Sequence, residues 1–181
     1  MWSIKSNKER HMKYLSIIFL FTISVVGQDL HMELNTEGRL ECLKVTDSLD
    51  LTGDELYKKT LEWVASTYQN TEGAIQSEIK DQMIRIQKVS SEPIDYIFNW
   101  RIGYTVQIDI KDNKTRMRIS DIVLLNLNNY SYGIELIVKN GKFKSSIESV
   151  NYRKGANEEF SRIYTSYLEA LSSGTESDEA W

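Results

Sequence analysis

With 181 residues the chain is long enough for one domain with a sizeable core. Its 22 bases and 26 acids give a net charge of −4; four of the bases and one acid fall in the first 27 residues, so the remainder holds 18 bases against 25 acids, or −7. That balance argues against nucleic acid and against an anionic membrane surface as partners, and a single cysteine, Cys42, excludes an internal disulfide and reads as a small buried hydrophobe.

Lys13 precedes an apolar run, Tyr14 to Val26, that closes on Val25-Val26-Gly27. A basic start, a short apolar core and small residues before a cut are the pattern of a secretory signal peptide over residues 1–27, with cleavage near Gly27/Gln28. The run is short of the roughly 20 residues that a membrane span needs, so no stable span is expected after processing. Met12-Lys13 is the more natural start, which would make residues 1–11 an upstream extension. The expected location is outside the cytoplasm, periplasmic or secreted. Residues 28–38 are polar without a period and read as a flexible lead-in to a domain over 39–172.

Arg39 to Val45 is a short first strand. Thr52 and Glu55 then have capping-box spacing, which starts a helix running to about Gln69. Tyr57, Leu61, Val64 and Tyr68 mark its apolar face, with Lys58, Lys59 and Glu62 opposite. Ala74 to Ile79 and Met83 to Val89 read as two strands around Lys80-Asp81-Gln82. From Phe98, apolar residues fall on every second position through Trp100, Ile102, Tyr104, Val106, Ile108 and Ile110, which makes one long strand with a dry and a wet face. Asp112-Asn113 is a turn pair that tolerates positive φ. A two-residue loop there sets Ile108 against Met117 and Val106 against Ile119 on the dry side, with Asp109 against Arg116 and Gln107 against Arg118 on the wet side. The alternation shifts at Asp121, and Ile122 to Leu125 continue as strand or bulge. Tyr130, Tyr132, Ile134, Leu136 and Val138 restore the period. Asn140-Gly141 is a hairpin signal that pairs Val138 with Phe143 and Ile134 with Ile147, although Lys142 to Asn151 also fits an irregular or helical connection. A last helix from about Asn157 to Leu171 carries Phe160, Ile163, Tyr164, Tyr167, Leu168 and Leu171 at helical spacing, with Asn157 as its cap. Residues 173–181 are acidic and read as disordered. The economical arrangement is α+β: a single twisted antiparallel sheet with both helices packed on its dry face and the other face open.

The residues Asp54-Glu55-Leu56-Tyr57, Leu61-Glu62-Trp63 and Tyr104 to Arg118, with the turn Lys111-Asp112-Asn113-Lys114-Thr115-Arg116, resemble an exported bacterial family of unknown function with a TATA-binding-protein-like (TBP-like) fold. The turn of that family usually has Gly after Asp and an aromatic before Arg, where this chain has Asn113 and Thr115. The resemblance covers roughly residues 38–125, and the last helix loosely. It implies the helix-backed sheet and no catalytic residues. The fold's namesake binds DNA on its open face, which fold analogy alone does not transfer.

Only His11 and His31 exist, neither in the folded core, which removes histidine-activated nucleophiles and histidine-containing zinc sites. No glycine-rich phosphate loop is present, and no cofactor is expected. Arg101, Lys111, Arg116 and Arg118 point to the wet face with Thr105, Gln107 and Ser120 between them. They form either a recess for a carboxylate, phosphate or acidic peptide or a solvated face with its own ion pairs. Two functions follow. One is a non-catalytic exported module that binds an envelope ligand or protein, anionic in chemistry, through Arg101, Thr105, Gln107, Lys111, Arg116 and Arg118 or through a sheet edge. The alternative is a histidine-independent carboxylate enzyme acting on cell-envelope glycan or peptidoglycan, with Asp109, Asp112 and Asp121 the nearest acidic cluster.

Overall fold

The structure, a computed structural model, describes residues 30–68, 71–94, 99–126 and 128–173. The apolar run at 14–26, Phe98 and the acidic residues after Ser173 lie outside the described residues. In chain order the elements are Glu33–Leu34 (β1), Leu40–Asp47 (β2), Gly53–Thr67 (α1), a single turn Thr71–Ala74 (α2), Ile75–Ile79 (β3), Met83–Val89 (β4), Arg101–Lys111 (β5), Lys114–Leu125 (β6), Ser131–Tyr132 (β7), a 3-10 turn Ile134–Leu136, Val138–Lys139 (β8), Lys142–Phe143 (β9) and Ile147–Ser172 (α3). The main sheet runs β1-β2-β6-β5-β4-β3, antiparallel throughout, with β7 beside the end of β6. The fold is therefore α+β, one antiparallel sheet backed by two long helices, as the periodicities predict.

The β5–β6 hairpin has the register that its side chains demand: Ile108 faces Met117, Val106 faces Ile119, Asp109 faces Arg116 and Gln107 faces Arg118. Asn113 sits at φ 60° in the turn, a conformation that asparagine tolerates. Between Gly103 and Thr105 the register shifts, and Asp121 on β6 takes φ 50°, so the break in alternation is a bulge. Ile102, Tyr104, Val106, Ile108 and Ile110 are all buried, against Leu56, Trp63 and Val64 of α1 and Tyr152, Phe160 and Tyr167 of α3. Cys42 is buried in the same core, and burial, reinforced by Glu33 and Glu41, pushes its thiol up to about 12.

Helix α1 starts on the predicted capping box: the Thr52 hydroxyl accepts from Glu55 N–H and the Glu55 carboxylate accepts from Thr52 N–H at 2.8 Å. The hairpin tip adds a third bond, Gly53 N–H to Asp112 Oδ1 at 2.7 Å. Two polar ties join α1 to α3: Thr60 to the Tyr167 hydroxyl at 3.1 Å and Trp63 Nε1 to Ser166 at 3.0 Å. Lys59, expected on the wet side of α1, is buried and donates to the Ser173 carbonyl at the end of α3, which is how a cation lies in that seam.

Five expectations are corrected. Helix α3 begins ten residues earlier than Asn157, capped by Ser146. Its first turns hide from a periodicity reading because Ile147 is 69% exposed and Val150 is also exposed, so no apolar stripe runs through them. Asn157 is no cap; its Oδ1 accepts from Met32 N–H at 2.8 Å. Nor is the lead-in loose where it is described: Leu30 and Met32 are buried, and Leu30 N–H donates to Ser161 at 3.0 Å. The stretch Tyr130 to Val138 is not one strand. Tyr132 pairs briefly with β6, Ile134 enters the 3-10 turn, and only Val138 meets Phe143 across Asn140-Gly141, both at positive φ. Ile134 and Ile147 do not pair, since Ile147 opens α3.

Candidate functional site

The open face can be read as rows across the strands. One row runs Leu43, Arg118, Gln107, Arg85 and Ser77; the next runs Val45, Arg116, Asp109, Met83 and Ile79. Within the second row Arg116 closes on Asp109 through two nitrogens, Nε at 2.8 Å and Nη2 at 2.6 Å. This pair explains the hairpin register and leaves Arg116 occupied. Gln107 donates to the same carboxylate at 2.8 Å.

A recess of about 750 Å³ opens over the first row. The β1–β2 turn forms one wall: Asn35 Oδ1 accepts from Glu37 N–H and Arg39 N–H, and Gly38 closes the turn at φ 74°. The floor is Gln107, Arg118 and Ser120, and the far wall is Asp121, Ile122, Val123 and Ile134. Three guanidinium groups line it, Arg39, Arg85 and Arg118, with three carboxylates, Glu37, Glu41 and Asp121. Arg39 lies 3.4 Å from Glu37. Arg85 lies 2.9 Å from Asp121, a pair that spans the width of β5 because the bulge re-aims Asp121. Arg118 has no carboxylate within ion-pairing distance among the described residues, and its Nε is buried without a hydrogen-bond partner there; the Nε of Arg85 is likewise unmet. A guanidinium without a carboxylate partner has the planar fork of donors that matches an oxyanion.

Of the six residues read from sequence, the recess brings together Gln107 and Arg118. Thr105 is only 2% exposed, with Gln87 and Ser120 beside it and the Arg85–Asp121 pair crossing its strand, so no ligand on this face reaches it. Arg101 sits at the far end of β5, where Nε donates to the Ser90 carbonyl at 3.1 Å and Nη1 to Asn129 at 3.4 Å. Lys111 stands opposite Lys114 at the hairpin tip, lining a separate hollow with Asp47, Asp50 and Asp112. Arg116 stays beside the recess, held by Asp109. The additions are Arg85, whose alternation with Ile84 and Ile86 already put it on the wet side, and Arg39 and Glu41, at the junction of the lead-in with β2. Asp112 serves α1 and not a catalytic cluster. Among the described residues no group of acidic, histidine or cysteine side chains is placed to hold a metal ion, and no helix is long and apolar enough to cross a membrane.

Two solved structures share the architecture. One is a DUF4468 family protein from Bacteroides ovatus, 12% identical, with a TM-score of 0.60 over 76% of this chain and 89% of that one. The other is a TBP-like protein from Parabacteroides distasonis, 15% identical, with a TM-score of 0.63 over 75% of this chain and 94% of that one. At such identities the likeness is one of fold. No curated protein matches the chain. Over residues 44–124, which take in α1, most of the β5–β6 hairpin and the floor of the recess, the chain matches the family described as a domain of unknown function (DUF4468) with TBP-like fold.

Proposed function

We propose that this domain is an exported, non-catalytic binding module that receives an anionic group of an envelope ligand in the open-face recess. The observation that carries the reading is Arg118: it is the one guanidinium of the recess left without a carboxylate among the described residues, its Nε buried and unmet. Gln107 stands beside it as a neutral donor, with one amide hydrogen on Asp109 and the other to spare. Export rests on the segment behind Lys13, whose basic start and short apolar run have the form of a signal peptide. The carboxylate-enzyme alternative would draw on Glu41 and Asp121, which share the recess; Asp121 is committed to Arg85, which is why binding is the favoured reading.

The test is titration with two probes, 4-methylpentanoate and inorganic phosphate, followed by amide shifts in the wild-type protein and in Arg118→Gln. Losing a charge-assisted hydrogen bond removes about 1.5–3 kcal/mol, so affinity should fall tenfold or more. Stability should hold, because Arg118 gives up no ion pair. Shifts confined to residues away from the recess, or equal affinity in a folded Arg118→Gln protein, would refute the site.

A further inference from the structure

Resting on that reading, we infer that the recess takes a zwitterion of the α-amino-acid type, its carboxylate on Arg118 and its ammonium on Glu41. Three guanidinium groups and three carboxylates line the recess, and two of each are already joined, Arg39 with Glu37 and Arg85 with Asp121. What remains is one charge of each sign, Arg118 and Glu41. A lone anion would satisfy the first and leave the second; a molecule bearing both charges satisfies both and keeps the recess neutral.

The geometry places the two charges at a span that a small molecule can bridge. Leu43 is the cross-strand partner of Arg118, and Glu41 lies two residues before Leu43 on the same face, one diagonal step from Arg118. Diagonal neighbours stand roughly 7–8 Å apart at the backbone, within reach of long side chains, yet these two form no ion pair. A separate observation marks Glu41 as wanting a cation. Its cross-strand partner on β1 is another acid, Glu33, and like charges directly opposite repel. The only hydrogen bond that the Glu41 carboxylate receives among the described residues is from neutral Asn35, at 3.4 Å. Val123, which is exposed, and partly buried Ile134 line the same recess and favour an aliphatic substituent on the ligand.

The experiment is calorimetric titration of the whole domain with leucine, with 4-methylpentanoate, which is leucine without its ammonium, and with 3-methylbutylamine, which is leucine without its carboxylate. Leucine is expected to bind at least tenfold tighter than either. In Glu41→Gln the leucine affinity should fall to that of 4-methylpentanoate, whose own binding is unchanged or improved; in Arg118→Gln both should be lost. If 4-methylpentanoate binds through Arg118 and leucine binds no better, the zwitterion is wrong and the anion site stands. If none of the three binds, both readings fall. A preference for leucine that survives in Glu41→Gln would overturn the role of Glu41. The comparison of the three probes needs only the wild-type protein, so a variant that failed to fold would not protect the inference.

Discussion

Replacing Gly155 by alanine should destabilise the domain, although alanine is the better helix former. Gly155 lies inside α3, where glycine is worse than alanine by about 0.8–1.0 kcal/mol. Propensity alone therefore predicts a gain. Packing predicts the reverse: a Cβ at this position would stand 1.9 Å from the Ile94 carbonyl oxygen and 2.8 Å from its carbon, where ordinary contact begins near 3.4 Å. Restoring that contact needs a displacement of about 1.5 Å between helix and loop. Neither side yields easily, since Tyr152 and Ala156 on the helix are fully buried and Ile94 N–H is bonded to the Trp100 carbonyl at 2.8 Å. Overpacking of a tight core site costs about 1–3 kcal/mol, sometimes more, so the net loss should be ~1 kcal/mol, and ~2 at the upper end, after the helix gain. The assay is urea unfolding followed by circular dichroism, and a melt lowered by roughly 2–8 °C would agree. Stabilisation by Gly155→Ala would refute the reasoning, for it would mean that α3 does not approach the loop this closely.

Changing Ile108 to Asp should prevent folding, because it buries an unpaired charge and gives up roughly 1.5–3 kcal/mol of side-chain burial, whereas the same change at exposed Ser77 should be tolerated; comparable circular-dichroism losses from both would invert the two faces. Cys42 should give an alkaline signature. Its folded thiol is raised to about 12 from an ordinary 9.0, so the native state holds a proton that the unfolded chain releases, and stability is full below about pH 9 and falls as pH rises from 9 towards 12. Cys42→Ala should lessen that slope by up to ~1.4 kcal/mol per pH unit, and a thiol reagent should label the native protein at pH 8 only on unfolding; rapid native labelling would contradict the burial.

What the sequence made legible was whatever one face of one element decides. The hairpin from Arg101 to Leu125 could be registered from side chains alone because two independent patterns, apolar with apolar and Asp109 with Arg116, agree on a single pairing. The capping box at Thr52 is equally local. The errors fall where distant contacts settle the matter. Asn157 looked like a helix cap because asparagine caps helices, but it is spent on the backbone of Met32, 125 residues away in sequence. Thr105 had the parity of a site residue and lost its exposure to Arg85 and Asp121, which meet across its strand from 36 residues apart. The recess was half visible for the same reason. Arg118 and Gln107 share a hairpin, while Arg39 and Glu41 reach them only because β2 docks against β6, a pairing that no local pattern announces.

The register break in β3 bears on what can approach this protein. An outer strand exposes a line of backbone donors and acceptors that another chain can use as a template, the first step towards strand exchange or fibre growth. Here that line is five residues long and is interrupted between Ile75 and Ser77, so an incoming strand could not extend the ladder without a matching defect. Glu78, exposed on the same short stretch, sets a charge against a second copy laid antiparallel with Glu78 facing itself. At the opposite border the outermost strand, Glu33–Leu34, has only two residues. The β3 border thus discourages growth of the sheet by addition of strands, whereas at the other border β1 covers only Leu40 and Glu41 and leaves Cys42–Asp47 without a strand on its outer side among the described residues.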